Sequence, residues 1–239
     1  MPLYNIKLID KREVANNTIM FIFEKPKGFT FIPGQYGGFT LIQPKEVDQG
    51  GITRRFSLLS SPDDNHLAIV TRIQTQSHAY KRVLNQLPIG CEIKFAGPTG
   101  NFILHDELKT PAILIAGGIG IAPFYSMIKH TISHKIPRKI ILFYGNATRL
   151  DAAFLDELNQ CQITYPFFKL IAAMDKPESS WQGETGFITH IMIKKHVHDI
   201  RAPFYYICGA PSMVTTIQEM LVEMNIDEDH IQVEDFPGY

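Results

Sequence analysis

The chain has 239 residues, which suits two compact domains or one large one. Its 23 Lys and Arg residues nearly balance 24 Asp and Glu residues, and the formal net charge of −1 excludes the charge excess that recruits nucleic acid or an anionic membrane. The three cysteines, Cys91, Cys161 and Cys208, are odd in number and far apart, which argues against a disulfide framework and against a metal site with short ligand spacing. These features favour an enzyme or binding protein for small molecules.

The amino terminus and the apolar runs carry no membrane or export signal. Residues 1–5 lack the basic start and apolar core of a signal peptide. No apolar run approaches the roughly 20 residues that span a bilayer. We therefore expect a cytoplasmic protein without a membrane span.

The first hundred residues show short segments of alternating or β-branched residues separated by turns, which is typical of an antiparallel β domain. One helix is predicted at residues 78–86, with Ser77 as its N-cap. The six predicted strands suit a small barrel and lie at residues 5–14, 18–24, 36–42, 54–59, 67–73 and 92–96.

Beyond Pro111 apolar strands alternate with helical stretches, a pattern that predicts a doubly wound parallel sheet. The strands are predicted at residues 113–116, 140–144, 167–172, 204–208 and 231–234, and the helices at 124–133, 152–159, 189–196 and 213–224. We place the boundary near residues 106–111, which gives a β-barrel domain at 1–107 and an α/β domain at 108–239.

The second domain opens with an apolar strand, a glycine turn and a helix in immediate succession. Gly117, Gly118 and Gly120 follow the strand, and Pro123 falls in the first turn of the helix, where proline is tolerated. A backbone without β-carbons next to a helix N-terminus can receive a phosphate. A tight turn without a ligand is the alternative, because Pro123 replaces the third glycine of the usual dinucleotide fingerprint.

The strand predicted at 54–59 places Arg54 and Phe56 on one face and Arg55 and Ser57 on the other. A bound flavin nucleotide needs a guanidinium for its pyrophosphate and a flat ring beside its sugar or isoalloxazine. The alternative is a barrel strand with solvated arginines, which is the interpretation we favour for Arg55.

Six motifs along nearly the whole chain resemble those of the ferredoxin–NADP reductase superfamily in its compact two-domain form. They are Pro33-Gly34-Gln35-Tyr36, Arg54-x-Phe56-Ser57, Gly97-Pro98-x-Gly100-x-Phe102, Gly117-Gly118-x-Gly120-x-Ala122-Pro123, Cys208-Gly209-x-Pro211-x-Met213 and the aromatic tail. The resemblance implies a flavin-binding β-barrel and an NAD(P)-binding α/β domain. It also implies a reductase that passes electrons from NADH or NADPH through FAD to a separate acceptor, which is ferredoxin, flavodoxin, another redox protein or a small molecule.

The resemblance assigns roles on the flavin side. Arg54 and Ser77 would hold the flavin pyrophosphate, and the turn with Gly97 and Gly100 would complete a set that favours FAD over FMN. Phe56 would pack on the flavin where most relatives have tyrosine, and Ser57 would hydrogen-bond near its reactive nitrogen. Phe56 lacks the tyrosine hydroxyl, so no hydrogen bond is expected there.

On the nucleotide side, the turn from Gly117 to Pro123 would bind the pyridine nucleotide, and Cys208 with Gly209 would lie beside the nicotinamide. If the family resemblance is set aside, the favoured interpretation of Cys208 is a small buried residue at the end of a strand. Thr148 and Arg149 can accept a ribose 2′-phosphate, so both NADH and NADPH stay open.

The tail follows the last predicted strand. Val233 and Phe236 are expected to end that strand in the core, and Pro237 breaks the ladder so that Tyr239 swings away. By the resemblance, Tyr239 with Phe236 would be a displaceable lid on the flavin face. A frayed terminus is the alternative.

Other functions stay open beside the reductase. One is a flavin- or nucleotide-binding regulatory or docking subunit with slight turnover. The electron-transfer subunit of dihydroorotate dehydrogenase fits less well, because the chain lacks that subunit's carboxyl-terminal cysteine cluster. His190, His196 and His198 are interpreted as a solvated basic face, so no metal is predicted. The acceptor and the oligomeric state are not predicted.

Overall fold

A computed structural model describes residues 2–74 and 78–235. Its first half is a six-stranded antiparallel sheet with the strand order β4-β3-β6-β1-β2-β5 and one helix. The strands are β1 (Leu3–Ala15), β2 (Thr18–Glu24), β3 (Tyr36–Thr40), β4 (Thr53–Ser57), β5 (His66–Arg72) and β6 (Glu92–Thr99), and the helix is α1 (Ala79–Gln86).

The first sheet curls so that its two outer strands meet. The chain leaving β4 returns to β5, where the Leu59 N–H donates to the carbonyl of Ala68 at 2.8 Å. Aromatic side chains fill the interior, and Phe39 and Phe95 are fully buried with ring centroids 5.0 Å apart. Tyr80 of α1 closes one end, where its hydroxyl donates to the Phe39 carbonyl at 2.9 Å. The predicted barrel is confirmed.

The second half is a six-stranded parallel sheet with the order β10-β9-β8-β7-β11-β12. Its strands are β7 (Ala112–Gly117), β8 (Ile140–Asn146), β9 (Phe168–Met174), β10 (Glu184–Thr185), β11 (Phe204–Gly209) and β12 (Ile231–Asp235). Its helices are α2 (Ile121–Ser133), α3 (Leu155–Thr164), α4 (His190–His196) and α5 (Pro211–Glu223). The doubly wound sheet is also confirmed. In the described part of the chain, no helix is long and apolar enough to span a bilayer.

Several element boundaries differ from the sequence prediction, most of all those of helices α3 and α2, and one short strand was not predicted. Helix α3 begins at Leu155 instead of 152, because Phe154 adopts a left-handed conformation with φ 61° that a continuing helix does not accept. Helix α2 begins earlier than predicted, directly after the glycine turn. The two-residue strand β10 was not predicted, because so short a segment has no periodicity to detect.

The two halves share a hydrophobic core. Strand β2 alternates, with Phe21 and Phe23 inside the barrel and Ile22 outside it. Ile22 joins a cluster that contains Phe124 and Met127 of α2. Strand β2 is therefore apolar on both faces, because one face closes the barrel and the other packs against the second half.

Candidate functional site

The last strand of the chain meets the barrel at a junction formed by Ser57, Cys208 and Glu234. Ser57 is buried at the end of β4, and its Oγ donates to Glu234 Oε2 at 3.2 Å. Glu234 pairs with Cys208 across the ladder between β11 and β12, so the two side chains share a face of the sheet. Ser57 and Cys208, which the resemblance places near the reactive flavin nitrogen and beside the nicotinamide, are thereby brought together with a carboxylate that the sequence prediction missed.

The environment of this junction raises the pKa values of Glu234 and Cys208. The pKa of Glu234 is raised to about 7, mainly by burial and to a lesser extent by the charge of Asp235, while the hydrogen bond from Ser57 opposes the shift. Burial, with the charges of Glu234 and Asp235, also raises the pKa of the Cys208 thiol well above its ordinary value. The junction can hold or move a proton through Glu234, but Cys208 is not poised as a thiolate nucleophile.

The orientation of β12 explains why Glu234 was missed. Val233 was expected to end the strand in the core, and this expectation is wrong, because Val233 is 42% exposed. The alternating side chains of the strand turn Glu234 inward instead. A carboxylate at the tip of the last strand was the available signal, but hydrophobicity alone favours the opposite register.

Of the turn glycines, Gly118 is the one that faces open space. Its φ is +52°, and a β-carbon there would meet no atom within 4 Å. Gly118 lies directly after β7, whose carboxyl end neighbours β11 at the point where the strand order reverses. Open doubly wound sheets bind nucleotides at this switch point. The turn therefore offers bare backbone where a phosphate can approach.

Gly120 is required for a different reason from the one predicted. Its φ is −61°, and a β-carbon there would lie 2.2 Å from the carbonyl oxygen of Cys208. The glycine lets α2 pack against β11, which explains the missing β-carbon without a ligand, and its role in nucleotide binding stays a prediction. Pro123 lies buried in the first turn of α2, as predicted.

Met213 covers the other two glycines of the switch point. A β-carbon on Gly117 would lie 2.1 Å from the Met213 sulfur, and one on Gly209 would lie 2.9 Å from it. The thioether is the flexible end of a long side chain, so it can move aside more easily than backbone can. Met213 therefore fills the space above the two strand ends.

An unpartnered amide marks the carboxyl end of β8. The side-chain oxygen and nitrogen of Asn146 are buried and find no hydrogen-bond partner within residues 2–74 and 78–235. A buried polar group without a partner costs about 1–3 kcal/mol. The neighbouring Gly145 pairs with Gly117, so the amide belongs to the same sheet edge as the glycine turn. A polar ligand at this edge fits the unsatisfied atoms.

Thr148 and Arg149 already have partners within the protein. The Thr148 hydroxyl donates to Asp151 Oδ2 at 2.6 Å, and the same oxygen accepts from the Thr148 N–H at 3.1 Å as part of a capping box on a short 3-10 turn. The Arg149 guanidinium lies 3.2 Å from Asp156, and both side chains are exposed. Arg149 also lines a cavity of about 390 Å³ together with Glu13 and Glu157. A 2′-phosphate at Arg149 would have to compete with these carboxylates, and this role stays a prediction.

On the barrel side, Arg54 and Phe56 share a face, as predicted. Arg54 lies over the Tyr80 ring at 5.3 Å, and the Phe56 ring lies 6.0 Å from the same ring. Arg55 instead lies over Tyr36 at 5.8 Å. The first face therefore offers a guanidinium and a flat ring side by side.

A carboxylate of the chain itself occupies the anion position beside Arg54. Arg54 Nη2 donates to Asp48 Oδ1 at 2.6 Å, and its Nη1 donates to the carbonyls of Gly50 and Gly51. The other oxygen of Asp48 accepts from the Tyr80 N–H at 3.4 Å, near the N-terminus of α1. Burial raises the pKa of Asp48, but the hydrogen bonds from Arg54 and Tyr80 together lower it by more, so the net pKa shift is downward.

The contacts of the Asp48 carboxylate show which donors an anion beside Arg54 would find, and so whether a pyrophosphate fits this site. A guanidinium and a helix N-terminal amide converge on one anion, which is the donor set that a phosphate requires. The residues fit FAD, provided that the loop carrying Asp48 withdraws. Arg54 as the pyrophosphate ligand stays a prediction.

The turn after β6 is shaped by aromatic packing. A β-carbon on Gly97 would lie 2.8 Å from the Phe95 ring, and one on Gly100, whose φ is +101°, would lie 2.9 Å from the Tyr36 ring. Both glycines are explained without a ligand, and their flavin role stays a prediction. Three further predicted residues lie outside the described residues, so their roles stay predictions too: Ser77, Phe236 and Tyr239.

Family comparisons agree with the two halves. The model of the oxidoreductase FAD-binding domain matches residues 5–103, and that of the oxidoreductase NAD-binding domain matches residues 114–219. The chain belongs to the ferredoxin–NADP reductase superfamily. It therefore joins an FAD-binding domain to an NAD-binding domain.

Among known proteins, the chain is similar to one subunit of the Na(+)-translocating NADH-quinone reductase of Methylococcus capsulatus, with 33% identity over 62% of this chain and 38% of that protein. It is also similar to the flavohemoprotein of Rhizobium meliloti, with 29% identity over 95% of this chain and 59% of that protein. The chain thus spans between about two fifths and three fifths of these relatives.

Solved structures share the fold at low sequence identity. The Amycolatopsis cytochrome P450 reductase GcoB gives a TM-score of 0.84 at 22% identity, covering 98% of this chain and 70% of that one. The ferredoxin NADP+ reductase of Neisseria gonorrhoeae, solved with bound FAD and NADP, gives 0.83 at 18% identity and covers 98% of both chains. These neighbours establish the fold of this superfamily member.

Proposed function

We propose that this chain is an NAD(P)H-dependent flavoprotein reductase that passes electrons from NADH or NADPH through FAD to a separate acceptor. The observation that carries the proposal is the junction at Ser57, where the end of a barrel strand meets the switch-point edge of the parallel sheet. A nucleotide at Gly118 and a flavin along β4 would both reach this junction. A separate acceptor and a cytoplasmic location belong to the same proposal.

The residues of the chain supply positioning and proton control. FAD, when bound, takes two electrons with a hydride from the nicotinamide and passes electrons on to the acceptor. The Ser57 hydroxyl can turn from Glu234 to a flavin atom, and Glu234 can hold the proton that accompanies electron transfer, because its pKa of about 7 suits both states. Cys208 fills the strand end with a neutral thiol and excludes water.

The second candidate is an electron-transfer or regulatory component of a larger assembly. The similarity of the chain to a subunit of a quinone reductase supports this second candidate. In this case the flavin is reduced normally, but transfer to small acceptors is slow without the rest of the assembly.

An anaerobic spectrum of the purified protein tests the proposal. We expect a yellow protein whose visible absorption bleaches within seconds on addition of NADH or NADPH, followed by rapid turnover with ferricyanide. Bleaching without turnover would favour the component of a larger assembly. A protein that retains FAD but is bleached by neither nucleotide would contradict both reductase functions.

A further inference from the structure

Three metal-ligating side chains converge from the two halves beside the carboxyl end of α2. Asp63 Oδ2 lies 3.2 Å from His130 Nδ1 and 3.6 Å from His134 Nδ1. The three potential ligand atoms all lie within 4.8 Å of one another, and within the described ranges they are the group of this kind that the structure brings together. The group is roughly 15–20 Å along the helix from the glycine turn, so it is separate from the proposed nucleotide site.

Local structure explains how the group forms. His130 and His134 are four residues apart, which places both imidazoles on one face of α2, with ring centroids 4.1 Å apart. Asp63 belongs to the loop between β4 and β5, and the Ser61 hydroxyl donates to the same Asp63 oxygen at 3.1 Å. The carboxylate is thus held by the barrel half and faces the imidazoles of the other half.

The spacing suits a tetrahedral ion. Zinc ligands lie about 2.0–2.1 Å from the metal, so two ligand atoms of a tetrahedron are about 3.3 Å apart. The separations from Asp63 to His130 and His134, 3.2 Å and 3.6 Å, bracket that value. Two imidazoles and one carboxylate form a donor set that first-row divalent cations accept, with water in the remaining position.

Neighbouring groups leave the ligand atoms accessible. Lys129, the nearest cation on the same helix, lies 3.9 Å from Asp64 rather than pairing with Asp63. His134 Nδ1 also lies 3.0 Å from the His130 carbonyl and 3.1 Å from the Ser133 hydroxyl. A metal-bound His134 would carry its proton on Nε2 and would exchange the contact with the carbonyl for the ion. Asp63 and His134 are about half exposed, so the ion can enter from solvent.

We propose that Asp63, His130 and His134 bind one first-row divalent cation, with Zn²⁺ as the best fit, and that the ion links the barrel to helix α2. This inference does not depend on the proposed reductase function. The same interface already contains a bond from the Ser126 hydroxyl to the Ser60 carbonyl at 2.6 Å. Because α2 begins at the glycine turn, an ion at its other end would fix the position of that turn relative to the barrel.

Titration of the full chain with Zn²⁺ alone tests the site. After removal of metals with a chelator, we expect one Zn²⁺ per chain by calorimetry, and His134→Ala should bind about tenfold more weakly or worse, since even outer-shell changes cost 10–100-fold. Asp63→Asn should weaken binding as well. His198→Ala, which removes an exposed histidine outside the group, is the matched control and should bind as the wild type does.

Two further measurements identify the ligands and the link. With Cu²⁺ as the probe, electron paramagnetic resonance should show coupling to two nitrogens in the wild type and to one in His134→Ala. Zn²⁺ should raise the Tm of the wild type and of His198→Ala, but not that of His134→Ala, whose fold is checked by circular dichroism. Absence of saturable binding by the wild type, or equal affinity in His134→Ala, would reduce the group to an ion pair between the halves and overturn the proposal.

Discussion

Glu234 is the residue whose environment departs most from that of an ordinary surface carboxylate. It lies at the tip of an edge strand, yet its side chain turns toward Ser57 and away from solvent. Among the described residues no cation pairs with it, because its hydrogen-bond partner is a neutral hydroxyl and its charged neighbour is Asp235. Ionisation of Glu234 therefore opposes folding.

The first prediction is that Glu234→Gln removes a pH-dependent loss of stability. The pKa of Glu234 is about 7 in the folded protein and near 4.5 when unfolded, so the folded state binds more protons between these values. The stabilising effect of the protonated carboxyl is present below pH 4.5 and is lost as the pH rises through 7. Wild-type stability should therefore fall relative to that of Glu234→Gln, by at most about 3 kcal/mol.

Urea unfolding of the flavin-free protein between pH 5 and pH 8.5 measures this difference. The exposed Glu219→Gln serves as the control, and its stability should follow that of the wild type across the range. A constant difference between wild type and Glu234→Gln at every pH would show that the carboxyl is not buried in this way.

The second prediction concerns the anion position at Arg54. Arg54→Ala should weaken FAD binding by removing a charge-assisted contact of about 1.5–3 kcal/mol. Asp48→Asn should have the opposite effect and tighten FAD binding, because it removes the carboxylate that competes for the Arg54 guanidinium. Quenching of flavin fluorescence on titration into the apoprotein measures both, and both effects should shrink at high salt.

Asp10→Asn is the matched control for Asp48→Asn, because Asp10 pairs with Arg12 on the exposed part of β1. It should leave FAD affinity unchanged. If Asp48→Asn instead weakened FAD binding as much as Arg54→Ala does, Asp48 would be an orienting partner of Arg54 rather than a competitor for it.

At the scale of elements, the turn from β7 into α2 combines two kinds of glycine. Gly120 accommodates the backbone of β11, whereas Gly118 combines a positive φ with open space. Glycine pattern alone cannot separate these roles, because both residues precede the same helix. A substitution that tests nucleotide binding therefore belongs at Gly118 and not at Gly120.

The third prediction is that Gly118→Asn impairs use of NAD(P)H without loss of flavin. Asparagine tolerates the left-handed conformation, so the turn should keep its shape while the new side chain enters the open space. We expect the KM for the nucleotide to rise about tenfold or more, equivalent to about 1.4 kcal/mol. Stopped-flow flavin reduction at several nucleotide concentrations provides the measurement.

Gly28→Asn is the control for this substitution, since Gly28 also has a positive φ of 74° and open space around it but lies in the turn after β2. Its KM should equal that of the wild type. Equal effects of the two substitutions would mean that the backbone strain, and not a blocked nucleotide site, was responsible.

Elements with strong periodic or apolar patterns were predictable, and those decided by a single backbone conformation were not. Strand β7 is an unbroken apolar run because both of its faces are covered, and the sequence places it within one residue. The start of α3 depends instead on the left-handed conformation of Phe154, which the presence of a phenylalanine in the sequence does not predict. The inward turn of Glu234 likewise depends on the register of an edge strand.

At the scale of the whole molecule, both sites combine residues that are distant in sequence. Ser57 and Glu234 are 177 positions apart, and Asp63 and His130 are 67 apart. The family resemblance supplied the cofactors and two of the three residues of the first site, Ser57 and Cys208, from local motifs. It could not supply Glu234 or the histidine pair with Asp63, because only the packing of β12 and of α2 against the barrel brings them together.

The contact between the halves also bears on the predicted boundary at residues 107 and 108, which stays a prediction. Gly34 has a φ of +99°, and a β-carbon there would lie 2.0 Å from the Phe102 carbonyl oxygen and 2.4 Å from the Met127 methyl carbon. A turn of the barrel is therefore fitted against helix α2 of the second half. We infer from this fit and from the shared cluster that the two halves unfold together.

The fourth prediction tests this coupling with Met127→Ala. Met127 is fully buried in the cluster that joins α2 to the barrel, so its truncation should lower the unfolding free energy by about 2–5 kcal/mol. Circular dichroism and flavin fluorescence should give one coincident transition, and FAD release should accelerate. Met192→Ala is the matched control, because Met192 is buried between α4 and the sheet, within the second half alone. Met192→Ala should lower the unfolding free energy without accelerating flavin release from the folded protein.

Two separate unfolding transitions, of which Met127→Ala shifts only that of the second half, would contradict the coupling. They would mean that the barrel folds independently of the helix packed on it.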